Sequence, residues 1–455
     1  MSGVGTEERT ESVRAGGKPG GGGRWKGHPL RGEVLRGTGP WTGALILGVV
    51  GLSAVYRAGE WQGHWGETAS MLHATGTLMA TPLAVAAGCW QGGRERRRGT
   101  GELLASTTRG RLARTVSAGL PTALWAAGAF LAAAVLVLLA SWPYTWAGAP
   151  RLSAVVASTA LVLSGAMLGH VLGALAPWRI TAPLAGIGTY VLLGAGSYST
   201  SPPHYLTPAT WSSYIADIPV WWQPLVAIGW PAGLALAAVL GYAARRRWTA
   251  VVPLAVAALC GVLISEYNER MWRDDPLTRR TVCDTSVRPA LCVKAVHPGL
   301  LPEVKRALTP LLDRLEGVEN LPARMVEGAE YAGMNPLAPY GQTQTVTRGR
   351  LGDPELFAWA AAAGLIHRRD DCMSDDDRLY RLETGLQEWL GSPRGHTGAQ
   401  AAKGYRWSED EAAQKAEFIR TFDRFAALGP EERRRWLSGY FGALKACAPD
   451  RVPAL

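Results

Sequence analysis

The chain has 455 residues, with 47 lysines and arginines against 37 acids and a formal net charge of +10. Its mean hydropathy is near neutral, but that average joins two solvents: Ala, Leu, Val and Gly dominate from Trp41 to Ile264, and charge is spread evenly after Glu266. The basic excess falls mostly in connections between apolar runs, so it is no sign of nucleic-acid binding.

Residues 1–40 are basic, Gly-rich and poor in large apolar side chains. They bury too little surface to offset their ordering entropy and read as a disordered tail, with a short interfacial turn of helix expected at 30–37. No cleaved signal peptide is expected, because a full-length span follows at Trp41 rather than a cleavage pattern. A membrane-crossing helix needs about 20 mostly apolar residues to traverse ~30 Å of hydrocarbon. Seven runs qualify, near 41–57, 69–90, 116–141, 153–175, 180–196, 224–243 and 248–265, the first and fifth being short. Prolines 82, 121, 183, 231 and 253 fall inside them, which neighbouring helices can tolerate.

Lys and Arg orient the runs. The tail, the second connection (Arg94 to Arg114), the fourth (Arg179) and the sixth (Arg245, Arg246, Arg247) are basic; the first and fifth connections have no Lys or Arg, and the third has only Arg151. The alternation predicts a cytoplasmic N-terminus, a transmembrane domain over 41–265, and an extracytoplasmic domain over 266–455 at the cell membrane.

The second connection is the most informative stretch. Gly99 and Gly101 interrupt the arriving helix. Thr100 can cap a new one, Glu102 then falls in its first turn, and Leu103 and Leu104 give it an apolar face before a basic end. The spacing predicts a short amphipathic helix on the cytoplasmic surface. Glu95, three residues, Gly99, Thr100, one residue, then Glu102, Leu103 and Leu104 resembles the loop between the second and third spans of ABC-2 type transporter permeases. A cytoplasmic N-terminus with an interfacial helix and a long outer connection between spans five and six are similar too. The resemblance covers residues 30–245. It departs from the family where Thr107 and Thr108 stand in place of a proline, and in the seventh span and C-terminal domain.

The resemblance implies that Glu95, Arg98, Gly99, Thr100, Glu102, Leu103 and Leu104 contact a separate P-loop ATPase subunit, which would carry ATP and Mg. It also implies a second permease copy or relative. No G-x-x-x-x-G-K-[ST] string occurs in the chain, so it is expected to bind no cofactor itself and not to be an enzyme. The alternative class is a membrane-anchored extracytoplasmic sensor or binding protein. The plain reading of the same loop is an Arg-rich segment held by anionic lipid.

The fifth connection, 197–223, is rich in Trp and Tyr. Its Trp211, Trp221 and Trp222 are candidates either for an outer gate or for an ordinary interfacial aromatic belt. His73 and His170 fall inside spans two and four; a neutral His bonded to a neighbouring helix is the usual case, and neither is assigned a role. Cys89 and Cys260 lie within spans as small apolar residues.

The C-terminal region reads as a small α+β domain: strands at 290–296 and 322–328 with a helix at 300–316 between them, then amphipathic helices from Pro354 onward. Four cysteines there, Cys283, Cys292, Cys372 and Cys447, suggest two disulfides in an exported domain. Three pairings are possible; Cys283–Cys292 in a hairpin and Cys372–Cys447 are the expected ones. The acidic run from Asp370 to Asp377 lacks the order and glycine of an EF-hand, and no metal site is expected.

Overall fold

The apolar runs fold as helices, because in hydrocarbon each backbone polar group needs a partner within its own segment. The computed structural model describes residues 37–99, 110–196, 198, 202–210, 215, 217–328, 335–336, 346–366, 377–392, 397–404 and 412–455. The expected interfacial turn at 30–37 therefore lies almost wholly outside the described residues. The chain is mostly helical, with a small region of short sheets. Among the described residues, five segments are long and apolar enough to cross a membrane: Gly39–Tyr56, Arg111–Tyr144, Leu152–Leu175, Gln223–Ala243 and Arg247–Met271.

Helices α1 (Gly39–Tyr56), α2 (Trp65–Thr75), α3 (Thr81–Gly92), α4 (Arg111–Ser141), α5 (Leu152–Leu175), α6 (Thr181–Gly196), α7 (Gln223–Ala243) and α8 (Val251–Tyr267) occupy the seven expected runs. Two runs differ from a simple span. Between α2 and α3 the wider π-turn Gly76–Ala80 replaces ordinary α geometry while the helical path continues. At 16 residues α6 rises only about 24 Å, short of the hydrocarbon thickness.

The centre of the bundle is a glycine seam between α3 and α5. A Cβ added at Gly88 would lie 2.0 Å from the Ala166 carbonyl oxygen, and one at Gly169 would lie 2.1 Å from that of Val85. Gly92 and Gly173 meet the opposite backbone at 1.9 Å by the same measure. Small residues one helical turn apart allow this approach, and between helices in lipid such packing replaces the hydrophobic drive. Around the seam, Ile46, Val50, Phe130 and Val162 are fully buried. The outward faces of α6 and α8 stay apolar and bare: Leu192 is 72% exposed and Leu259 60%. Surfaces of that kind fit a lipid solvent.

Beyond α8 the chain forms the small mixed domain. Strand β1 (Asp217–Pro219), from the connection before α7, pairs antiparallel with β2 (Trp272–Asp274). Strands β3 (Thr281–Asp284) and β4 (Ala290–Lys294) form a hairpin in which Cys283 faces Cys292, and the two are disulfide-bonded. Helix α9 (Leu301–Arg314) carries the chain to β5 (Arg324–Val326), parallel to β4 as the expected β-α-β unit requires. Strand β6 (Asn335–Pro336) extends this sheet, and β7 (Val346–Thr347) pairs with β8 (Arg350–Leu351).

Helices α10 (Pro354–Ile366), α11 (Asp377–Gly391), α12 (Ala412–Ala427) and α13 (Pro430–Lys445) complete the domain. Its core joins Leu291, Leu308 and Met325 to Phe357, Phe422, Leu437 and Tyr440. One expectation is corrected here: α10 is not amphipathic. Ala358, Ala360, Ala361, Ala362 and Leu365 are all buried, because this helix is enclosed by its neighbours and has no broad solvent face. Cys447 is also disulfide-bonded; Cys372, its expected partner, lies outside the described residues, as does the acidic run from Asp370 to Asp376. Cys89 and Cys260 are buried free thiols in their helices.

Candidate functional site

At the arginine-rich end of the bundle, the start of α1 is tied to the end of α3 by the Thr38 hydroxyl, which donates to Gln91 Oε1 at 3.1 Å. Arg94–Arg97 then makes a single helical turn. Arg97 folds back on the helix it leaves. Its guanidinium lies 4.5 Å from the Trp90 ring centroid, donates to the Trp90 carbonyl and reaches the Pro177 carbonyl at 3.4 Å. Gly99 ends the turn at φ +67°, a left-handed backbone that favours glycine. Glu95 is half-buried and Arg98 exposed. The rest of the proposed contact, Thr100, Glu102, Leu103 and Leu104, lies outside the described residues, and with it the expected amphipathic helix. At the start of α4, Arg111 lies over the Tyr242 ring at 5.9 Å.

The two described tryptophans of the fifth connection do not act as a pair. Trp221 is 83% exposed, whereas Trp222 packs edge-on against Tyr267 at 5.9 Å. Trp211 lies outside the described residues. What enters the bundle instead is the segment 202–210, two 3₁₀ turns held at its centre by His73.

Sequence reasoning missed a polar joint between the other end of the bundle and the mixed domain. Arg151, nearly buried, pairs with Asp275 at 3.1 Å and donates to the Asp217 carbonyl, fastening β1 and β2 to the start of α5. His64, just before α2, meets His297 with ring centroids 5.6 Å apart. Nδ1 of His297 is 3.1 Å from Glu327 Oε1, and the Lys294 backbone N–H donates to the other carboxylate oxygen at 2.8 Å. Trp146 closes the side of the joint, its ring against Gly299 and its Nε1 donating to the Gly349 carbonyl at 3.2 Å.

Burial and charge set the protonation of this joint. Burial, then the charges of His297, Arg151 and Lys294, push His64 down to about 3. Glu67 lies in the first turn of α2, ahead of the apolar run that begins at Ala69. Burial pushes it up to about 7, against the pull of His297 and helped by Glu327 and Glu60. Burial would raise Glu327 too, but its bonds from His297 and the Lys294 amide outweigh that and hold it below the ordinary carboxylate value. The joint therefore keeps a neutral imidazole beside a carboxyl that retains its proton near neutrality. Among the described residues no group of three or more His, Cys, Asp and Glu is placed to hold a metal ion.

No family model, curated protein or solved structure matches this chain. The residues so far described thus define a multi-helix chain with five candidate membrane spans and a docked, disulfide-bearing mixed domain.

Proposed function

We propose that this chain is the membrane-spanning permease subunit of an ABC-2 type transporter, an exporter driven by a separate P-loop ATPase. The observation that carries the reading is the string Glu95 to Leu104 in the loop that joins α3 to α4. The turn Arg94–Arg97, folded back by Arg97 and ended at left-handed Gly99, supports a loop leaving the bundle along a set path. In this reading all seven runs cross the bilayer, the run 69–90 doing so from Ala69 of α2 through the π-turn to α3. The arginine-rich end faces the cytoplasm, and the mixed domain lies outside. The Cys283–Cys292 disulfide agrees with an oxidising compartment for that domain. ATP and Mg belong to the partner, and ATPase closure would act on the loop 94–114 to shift the helices between two arrangements. A second permease copy or relative completes the assembly.

Purification of the tagged protein in mild detergent tests this. A stoichiometric P-loop ATPase that is lost in Glu102→Lys is the expected result. A clean preparation without ATPase would refute the reading. It would favour a membrane-anchored sensor, which the seat of the mixed domain against the start of α2 also supports.

A further inference from the structure

We propose that His73 is a latch that holds the segment 202–210 as a strap inside the bundle, and that release of the strap opens the end of the bundle beneath the mixed domain. His73 is buried in α2, and both of its ring nitrogens are engaged. Nε2 is 2.8 Å from the Pro208 carbonyl oxygen. A carbonyl can only accept, so Nε2 carries the hydrogen, and Nδ1 of the neutral ring accepts from the Ser158 hydroxyl at 3.1 Å. One imidazole thereby joins α2, α5 and a segment 135 residues distant in sequence.

The strap is seated at further points. Trp230 of α7 donates from Nε1 to the Leu206 carbonyl at 3.1 Å. Leu206 lies over Gly261 of α8, and Thr207 fills the space at Gly196 of α6, where an added Cβ would be 2.3 Å from its hydroxyl. Segment 202–210 thus touches α2, α6, α7 and α8 while belonging to none of them. Opening this end means withdrawing it, and the His73 bond is a fully buried hydrogen bond that must then break.

The π-turn supplies the means of release. It starts at Gly76, one turn after His73, and a Cβ at Gly76 would meet both the Phe130 ring at 2.9 Å and Ser158 Cβ at 3.0 Å. Ser158 therefore touches both the latch and the bulge. A π-turn carries one extra residue within a helix and is frequent at functional sites. Its conversion to α geometry would rotate His73 relative to α5 and part the ring from Pro208. The inference rests on the transport reading only for what the opening serves; the latch itself needs no ATPase.

The test uses the full chain in detergent with Cys89→Ala, Cys260→Ala and the reporter Ala209→Cys, labelled by a bulky polar maleimide. With His73 intact, labelling is slow. His73→Ala should accelerate it about tenfold, on the scale of one lost buried hydrogen bond. His73→Gln, which keeps a donor, should restore slow labelling at an unchanged thermal midpoint. Equal rates in the parent and His73→Ala would overturn the latch. Where His73→Ala does not fold, Ser158→Ala decides: faster labelling supports the latch and an unchanged rate overturns it. An absent ATPase would leave these rates as they are, so failure of the transport reading and failure of the latch are separable.

Discussion

The joint that buries His64 and Glu67 makes a prediction in which two effects cancel in the parent and appear singly in variants. His64 falls from 6.5 to about 3 on folding. A lowered histidine contributes stability that is fully present above 6.5 and is lost as pH falls toward 3. Glu67 rises from 4.5 to about 7. A raised carboxyl contributes stability that is fully present below 4.5 and is lost as pH rises toward 7. Between pH 4.5 and 6.5 the unfolded chain holds one proton on His64 and the folded chain holds one on Glu67. The pair therefore adds no slope in that window. Glu67→Gln leaves His64 alone, and stability should fall by about 3 kcal/mol from pH 6.5 to 4.5, two pH units at ~1.4 kcal/mol each. His64→Asn leaves Glu67 alone, and stability should fall by a similar amount from pH 4.5 to 6.5. Chemical unfolding in detergent, followed by tryptophan fluorescence and expressed as the difference from the parent at each pH, isolates these slopes from all other groups. Variant and parent profiles that run parallel would refute the reasoning.

Arg151→Met strands Asp275 without its buried partner and should cost ~3–5 kcal/mol, seen as a lower thermal midpoint and as proteolytic release of the mixed domain. Gly169→Val should prevent α3 from reaching α5, because even a methyl group there lies 2.1 Å from the Val85 carbonyl oxygen. A monodisperse size-exclusion peak for that variant would contradict the seam, and Gly188→Ala, with nothing within 4 Å of the added carbon, should behave as the parent. Replacing Cys283 and Cys292 together by serine opens a nine-residue separation and should cost about 3 kcal/mol, measured by thermal unfolding with and without reductant.

Much of the architecture is legible without the structure because it depends on solvent choice alone. A run of about 20 apolar residues has one stable form in lipid, so the positions of the seven helical runs follow from hydropathy. The β-α-β unit follows in the same way: Leu291 and Val293, on either side of the disulfide-bonded Cys292, are buried apolar strand residues, and Val304, Leu308 and Leu311 form one buried face of α9. The glycine seam was present in the sequence as Gly165, Gly169 and Gly173 at four-residue spacing. That spacing is a recognised helix-packing signal, though it does not name the partner helix.

The joint and the latch were not legible. His64, Glu67, Arg151, His297 and Glu327 come from three separated stretches and form no spaced motif. Their protonation depends on burial, which arises only when the mixed domain seats on the bundle. His73 looked like any histidine in an apolar helix, because its partner is a backbone carbonyl, and every residue has one. Trp221 and Trp222 are adjacent in sequence, yet one is exposed and the other packed.

By itself, then, the sequence determined which segments form long apolar helices, where the basic connections fall and which hairpin carries a disulfide, since periodicity and hydropathy are local properties of a chain. Tertiary structure alone decided which helices touch backbone to backbone, where segment 202–210 lodges and which titratable groups lose water. Those outcomes rest on contacts such as His73 with Pro208, 135 positions apart, and Arg151 with Asp275, 124 apart, and no local pattern encodes them.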